Sequence, residues 1–590
     1  MGLVIIDNPL KVYKHYLKKM PLKKGSFNRL IRNKEFNYVQ LVWEIIFEMT
    51  RKIILCVFIG LLFLKIGFCQ QTQILNEEVI KTTSSEKWWV DIVNQGDKMP
   101  VSGIAYTENF NANSEGNQFS PLLLSNEGRY IWSEKPFRFE FKNGKIIISN
   151  KHGVVHAGLT GNSLADAYRY ASKNFFPPSG KMPDSSMFIH PQFNTWIELV
   201  YNQNQQDILK YAHDIVNNGF EPGVLMIDDN WQRYYGNFEF KAERFANPAT
   251  MVNELHKMGF KVMLWVCPFV SPDSKEFREL SSKKYFILAP KPGSDNSWKS
   301  VDEPAIIHWW NGYSAELDFT NPGAVKWFKN NLDSLQLKYG IDGFKFDAGD
   351  AQFYNDSLIT YQKMSVNDQI LEYGLIGEQY PLNEFRVMWK MGGQPIAQRL
   401  KDKNHNWIDL GKLIPGSFIE SLIGNYFTCP DMIGGGEFKS FISAKSYDAD
   451  LVVRSAQCQA LMPMMQFSVA PWRILDKKRL DAVKACVAIR NQFKNYILSL
   501  AKKAAVSGEP IITPMEFYFP HQGYADIKDQ FMLGNKILVA PVLIKDATER
   551  TVILPKGKWK GDDGILYSGG KGYSIKTPIE RLPYFELIEN

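Results

Sequence analysis

Cysteine is scarce, with six residues in a chain of 590. Cys56 and Cys69 fall in an apolar leader. Cys267, Cys429, Cys458 and Cys486 have neither Cys-x-x-Cys spacing nor a dense pattern, which argues against a disulfide framework or zinc site and for buried thiols. Other signatures are missing too. No Gly-x-Gly-x-x-Gly follows an early strand, and there is no P-loop, His-Glu-x-x-His or Gly-x-Ser-x-Gly. The body of the chain also lacks excess charge. Of 69 basic and 62 acidic residues, residues 1–52 hold eleven and four, leaving 58 of each sign. The formal charge of +7 therefore belongs to the N-terminal segment, and nothing in the body suits a phosphate backbone.

The longest relevant apolar run, Ile53 to Leu64, falls short of the ~20 residues a membrane span needs. It follows Arg51 and Lys52 in a segment starting at Met49, and Lys65 and a small-to-polar exit come after it. That pattern predicts a secretory signal peptide cleaved near Cys69–Gln71, hence a secreted or periplasmic protein. The rival reading is a membrane anchor with residues 1–48 left inside the cell. Aromatic residues make up 14% of the chain, which suits sugar stacking but equally suits ordinary core packing.

Texture divides the rest. Residues 1–71 form the basic leader and signal peptide. Residues 72–190 hold short alternating runs with Asn-Gly punctuation, such as "FRFEFKNGKIIISN", and predict an N-terminal β-sandwich. Over 191–504, buried strands such as "GVLMIDD" and "FKVMLWVCPF" alternate with amphipathic helices stopped at glycine. That rhythm predicts parallel βα units and, at this length, one (β/α)8 TIM barrel. Residues 505–590 return to short strands and predict a C-terminal β-sandwich domain.

The stretch "DGFKFDAGD" (342–350) carries the chemistry. Strand alternation places Lys345 and Asp347 on one face and Phe344 and Phe346 on the other. In a barrel the phenylalanines would pack outward, leaving Asp347 at the C-terminal rim where barrel enzymes react. The neighbouring ammonium of Lys345 is expected to keep Asp347 ionised, as a nucleophile requires. A structural ion pair at a strand end is the other reading.

"LDFTNPGAVKWF…GIDGFKFDAGD" resembles the nucleophile region of glycoside hydrolase family 31. "DKNHNWIDLGKLIPGSFIESLIGNYFTCPDMIGGG" is similar to its acid/base region, with Asp402 five residues before Trp407 and Asp431 opening "DMIGG". Arg386 stands sixteen before Asp402, where the family has a substrate-binding arginine, and "KDQFMLGNKILVAPVL" resembles the C-terminal signature. The likeness covers about 190–585 and lies nearest the myogenesis-regulating glycosidase and α-galactosidase-like group.

The resemblance implies retaining, exo-acting hydrolysis of an α-glycoside. Asp347 would be the nucleophile and Asp402 the acid/base, with no metal or cofactor and with carboxyl groups ~5–5.5 Å apart. Asp402 would need a raised pKa from burial or from the nucleophile, while Lys401 and Lys403 beside it can face solvent. Asp228 and Asp229, followed by Trp231, look like the Asp-Asp-x-Trp of related α-galactosidase families. Two acceptors suit the axial 4-hydroxyl and the 6-hydroxyl of galactose; the alternative is one ligand-binding Asp and one paired to a neighbouring strand.

Many α-glucosidases of the family carry a histidine where "LMPMMQFSVAPW" has Ser468. α-Galactosidase is therefore the first expectation, ahead of an α-glucosidase or an α-glycosidase for a sulfonated or N-acetylated hexose. Trp231, Trp265, Trp309, Trp310 and Trp407 are stacking candidates, with Trp265 foremost. Asp318 is expected to cap the helix at Pro322, Asp342 lies at the wrong end of its strand for catalysis, and the role of Asp350 is open. The expected partner is an α-linked galactoside or related oligosaccharide, with no nucleic acid and no stable membrane partner. A sugar-binding pseudo-enzyme and a membrane-anchored partner protein are the other classes, and neither needs both Asp347 and Asp402.

Overall fold

The computed structural model describes residues 78–589, apart from 113–114, 291–302, 356 and 443–446. The leader and its expected cleavage point lie outside the described residues. The chain divides into two units, 1–76 and 77–590, and the second carries every described element.

Two four-stranded antiparallel sheets come first. Glu78–Lys81, Lys145–Ser149, Arg138–Lys142 and Tyr106–Asn109 form one, in that spatial order. Trp88–Ile92, Phe119–Ser125, Arg129–Ser133 and Val155–Leu159 form the other. The Asn-Gly signal lies where a two-residue hairpin requires it. Lys142 pairs with Lys145, and Asn143 and Gly144 both take positive φ (50° and 69°), as a type I′ turn demands. Trp88 of one sheet meets Phe141 of the other edge-on at 6.4 Å, so the sheets form a sandwich. The all-β reading overlooked a helix here, Leu164–Phe175, opened by Ser163 accepting a bond from the Asp166 amide.

Eight parallel strands follow, here β1 (Gln192–Asn194), β2 (Val224–Ile227), β3 (Lys261–Val266), β4 (Gly343–Phe346), β5 (Asn383–Phe385), β6 (Gln398–Arg399), β7 (Thr428–Cys429) and β8 (Gln466–Phe467). They pair in sequence from β1 to β7, and β8 pairs with β1. Just past β7, Met432 bridges Gln466 and the Ile433 amide donates to the Gln466 carbonyl at 2.8 Å, which nearly closes the cylinder. The strands are almost wholly buried, which explains their continuous apolar text. Phe346 stacks on Phe385 at 4.5 Å and packs edge-on to Tyr373 of the helix Val366–Gly377, so the phenylalanines of β4 do face outward.

Asn204, Asn247 and Asn321 cap the helices Gln205–Asn217, Pro248–Lys257 and Pro322–Tyr339. The expected cap Asp318 is displaced by Asn321. Its carboxylate instead takes the amide and hydroxyl of Thr320 and the amide of Tyr361, tying two loops together. Between β3 and β4 the chain adds a three-stranded sheet of Phe269–Val270, Gly312–Glu316 and Ile306–Trp309, which the sequence reading did not separate from the barrel. A 31-residue helix, Lys477–Ser507, leads to a six-stranded sheet and a two-stranded ribbon spanning Ile512 to Glu589. Among the described residues no helix is long and apolar enough to cross a membrane.

Candidate active site

A cavity of about 270 Å³ opens at the C-terminal ends of the barrel strands. Asp228, Asp229, Trp265, Lys345, Asp347, Arg386 and Asp402 all line it, so seven of the nine expected residues converge. Register explains part of this. Trp265 pairs with Lys345 and Lys345 with Glu384 across β3, β4 and β5, so all three side chains point into the lumen.

Asp347 sits one residue beyond β4 and is nearly buried. Its carboxylate accepts from Trp265 Nε1 at 2.8 Å and from the Ala348 amide at 2.9 Å, with Arg386 Nε 3.8 Å away. Burial opposes its charge, yet Lys345, Arg386, Arg399 and the indole bond outweigh burial and hold its pKa below the usual carboxylate value. The expected direct pairing with Lys345 does not form. Lys345 Nζ donates to Asp228 Oδ2 at 2.6 Å, and both groups are buried. Asp228 also accepts from the Asp229 amide, while its own amide donates to Thr195.

Asp229 is differently placed. One oxygen takes Asn311 Nδ2 at 2.6 Å and the Tyr235 hydroxyl at 3.2 Å, and the other has no hydrogen-bond partner. Burial, with the charge of Asp228 beside it, pushes its pKa up to about 7. The two aspartates therefore differ in their partners: Asp228 is held by the lysine, and Asp229 by Asn311 and Tyr235.

Asp402 lies past β6 and shares a guanidinium with Asp431. Arg399 Nη1 donates to Asp402 Oδ1 at 2.5 Å and to Asp431 Oδ1 at 2.9 Å, while Arg399 Nε lies 3.4 Å from Glu384. This reverses the expected environment of the acid/base carboxyl. Burial raises the Asp402 pKa, but Arg399, Arg386 and Lys345 overcome it and hold Asp402 well below the usual range. The raised group of the pair is Asp431, pushed up to about 6 by burial in spite of Arg399. The triple glycine is a steric requirement. Gly434 and Gly435 have φ of 87° and 107°, and a Cβ on Gly436 would stand 2.7 Å from Asp431 Oδ1 and 2.8 Å from Asp402 Oδ1.

Asp431 and Trp231 depart from expectation, since neither lines the cavity. Asp431 is fully buried behind Asp402, where the amides of Lys403 and Gly436 also bond it. Trp231 is buried with its indole on the Trp265 carbonyl. Among the other stacking candidates, Trp310 lines the cavity, Trp309 is buried on Ser314, and Trp407 turns to Asp448. Asp350 is buried and accepts from Arg386 Nη2 at 3.2 Å, so it positions that arginine. Asp342 bonds His256 and the Val262 amide at the opposite end of β4. The Ser468 hydroxyl is engaged by the Ile197 amide.

Sequence reasoning missed Arg399, whose two-residue strand is too short to display alternation. It also missed Asn311 and Tyr235. Lys401 was expected to be able to face solvent, but it lines the cavity with Nζ on the Glu115 carbonyl, and Lys403 is buried. The sandwich thus supports the site. Asn117 and Gln118 donate to the carbonyls of Arg386 and Arg399, the two residues that set the charge around Asp402. Among the described residues no cluster of His, Cys, Asp or Glu could hold a metal ion.

Residues 186–500 match the glycosyl hydrolases family 31 TIM-barrel domain, and 508–586 match the family 31 C-terminal domain. The chain belongs to glycosyl hydrolase family 31. A myogenesis-regulating glycosidase of Mus musculus is 32% identical to it over 71% of this chain and 58% of that protein. An α-xylosidase of Lactiplantibacillus pentosus is 26% identical over 64% of this chain and 50% of that protein. The family 31 dextranase of Flavobacterium johnsoniae, solved with glucose, has the same fold. Its TM-score is 0.75 at 17% identity, covering 87% of this chain and 66% of that one. The chain spans about half the length of the curated relatives it matches.

Proposed function

We propose that the chain is a retaining, exo-acting α-glycosidase, with galactose as the sugar it removes. The observation that carries the reaction class is that Asp347 and Asp402 face one cavity at the barrel rim. Asp347 attacks the anomeric carbon and forms a glycosyl ester, and the aglycone oxygen leaves with a proton from Asp402. Asp402 then takes a proton from water as the water displaces Asp347. Trp265 and the Ala348 amide fix the nucleophile's two oxygens, which limits it to one approach to the sugar.

Galactose is favoured by Asp228 and Asp229 side by side in the cavity lining and by Ser468 in place of the histidine donor. Glucose and xylose are the alternatives, because relatives named α-glucosidase and α-xylosidase match the chain. A sugar-binding pseudo-enzyme is disfavoured, since it would need neither carboxylate of the pair. The apolar run at 53–64 supports action outside the cytosol.

The test is a panel of nitrophenyl α-glycosides with the wild type and Asp347→Ala. Turnover of the galactoside, lost in the folded variant, is expected. Response to the glucoside alone would move the sugar and leave the mechanism standing. Turnover unchanged by Asp347→Ala would end the assignment.

A further inference from the structure

A second cavity, of about 890 Å³, lies where turns of the N-terminal sandwich meet the barrel, and it shares no lining residue with the catalytic one. Its size is that of a small-molecule site, for which ~300–1,000 Å³ is usual. One wall is the loop that runs from β4 to the helix Val366–Gly377, and the other comes from the sandwich, with Lys135 and His152. The loop is tied in place. Ile359 and Leu288 exchange both backbone hydrogen bonds, at 2.8 and 2.9 Å, and the amides of Tyr361 and Gln362 donate to Asp318 and to the Thr320 hydroxyl. The cavity is therefore preformed, which spares a ligand the entropy of ordering its walls.

The floor is apolar. Ile287, Tyr354 and Val366 are buried there and Ile359 is half-buried, with the amide of Gln369 as the polar exception. The Tyr354 hydroxyl is already used, donating to Glu316 at 2.6 Å. The rim is cationic: Lys135, His152 and Lys363 line it, and none of the described lining residues is Asp or Glu. Lys135 is neutralised by Asp368 at 2.8 Å. Lys363 is exposed and has no ion pair among the described residues, so it carries the net charge, and His152 adds an exposed imidazole. From this pairing of floor and rim we infer that the cavity binds a small amphiphilic anion, an acyl or aryl body with one sulfate, phosphate or carboxylate head. The body removes apolar area from water, at about 25 cal/mol per Å². The head stays at the rim beside Lys363, where it keeps part of its hydration. A neutral sugar would set hydroxyls against the floor, and a plain hydrocarbon would leave Lys363 unused. The inference is independent of the glycosidase reading.

The probe is octyl sulfate, titrated by calorimetry into the full chain at low salt, with octanol and inorganic sulfate as its two halves. Saturable one-to-one binding of octyl sulfate is expected, at least tenfold tighter than that of either half. Lys363→Glu, at an exposed position, should weaken it by about tenfold, and added salt should narrow that difference. Met364→Trp, which puts an indole into the lining, should abolish it, while Asp229→Asn in the catalytic cavity should leave it unchanged. A parallel titration with anilinonaphthalene sulfonate tells an aryl body from an acyl one by which binds tighter. Equal binding of octanol overturns the anionic head, and equal binding of sulfate overturns the apolar body. Binding that does not saturate, or that ignores both Lys363→Glu and Met364→Trp, overturns the site. If Met364→Trp does not unfold cooperatively, Lys363→Glu decides alone.

Discussion

Lys345 donates to Asp228 at 2.6 Å and leaves Asp347, two residues along its own strand, to Trp265 and a backbone amide. The lysine therefore has two functions. It neutralises a buried aspartate on β2's exit, and its field lowers the Asp347 pKa without a shared hydrogen bond. Lys345→Met leaves Asp228 as an uncompensated buried charge. The expected loss is about 3–5 kcal/mol of stability, the usual cost of breaking a buried pair. Denaturant unfolding measures it. A variant as stable as the wild type would mean that Asp228 does not depend on the lysine.

The two catalytic carboxylates are separable by leaving group. Asp402→Ala should depress turnover of a glycoside with a poor leaving group by about 10²–10⁴-fold, the usual worth of general acid–base catalysis. It should spare the first step for a dinitrophenyl glycoside, which needs no proton. Added azide should rescue turnover and give a glycosyl azide of retained configuration, because the ester on Asp347 still forms. Equal losses with both leaving groups and no azide product would remove Asp402 from the acid/base role.

The fold and half of the site were legible for identifiable reasons. Continuous apolar strands, glycine stops and Asn-Pro helix starts are local signals, and they define the barrel. Lys345 and Asp347 were placed on one face by a period of two. What could not be read depends on pairing across the chain. Lys345 chooses Asp228, 117 residues away, over its neighbour. Arg399 lies on a two-residue strand, and its role exists only because Asp402 and Asp431 meet there. Asp431 was expected at the sugar because its motif lies in the right order, but the glycine turn folds it behind Asp402.

Asp229 is the residue whose charge should be felt in the ordinary pH range. Its carboxyl is pushed up to about 7, so it is neutral below that pH and ionised above it. A carboxyl in the cavity lining accepts a sugar hydroxyl best as the anion. Affinity for a methyl α-glycoside should therefore fall by up to about tenfold per pH unit below 7, and level off above it. Asp229→Asn should bind more weakly and without that inflection. An inflection that survives the substitution would assign it elsewhere.

Asp431 bears on the proton that Asp402 must deliver. Both carboxylates draw on Arg399 Nη1, so each weakens the hold of the guanidinium on the other. Asp402 is held low in this arrangement, while Asp431 is pushed up to about 6. Removing the charge of Asp431 gives Arg399 to Asp402 alone and lowers the Asp402 pKa further. The acid form is then present only at lower pH. In Asp431→Asn the falling alkaline limb of kcat/KM for a poor leaving group should move to lower pH, and the profile for a dinitrophenyl glycoside should not move with it. Arg399→Met should move the same limb upward. A shift in neither variant, in protein that still unfolds cooperatively, would mean that the shared guanidinium does not govern the proton of the acid.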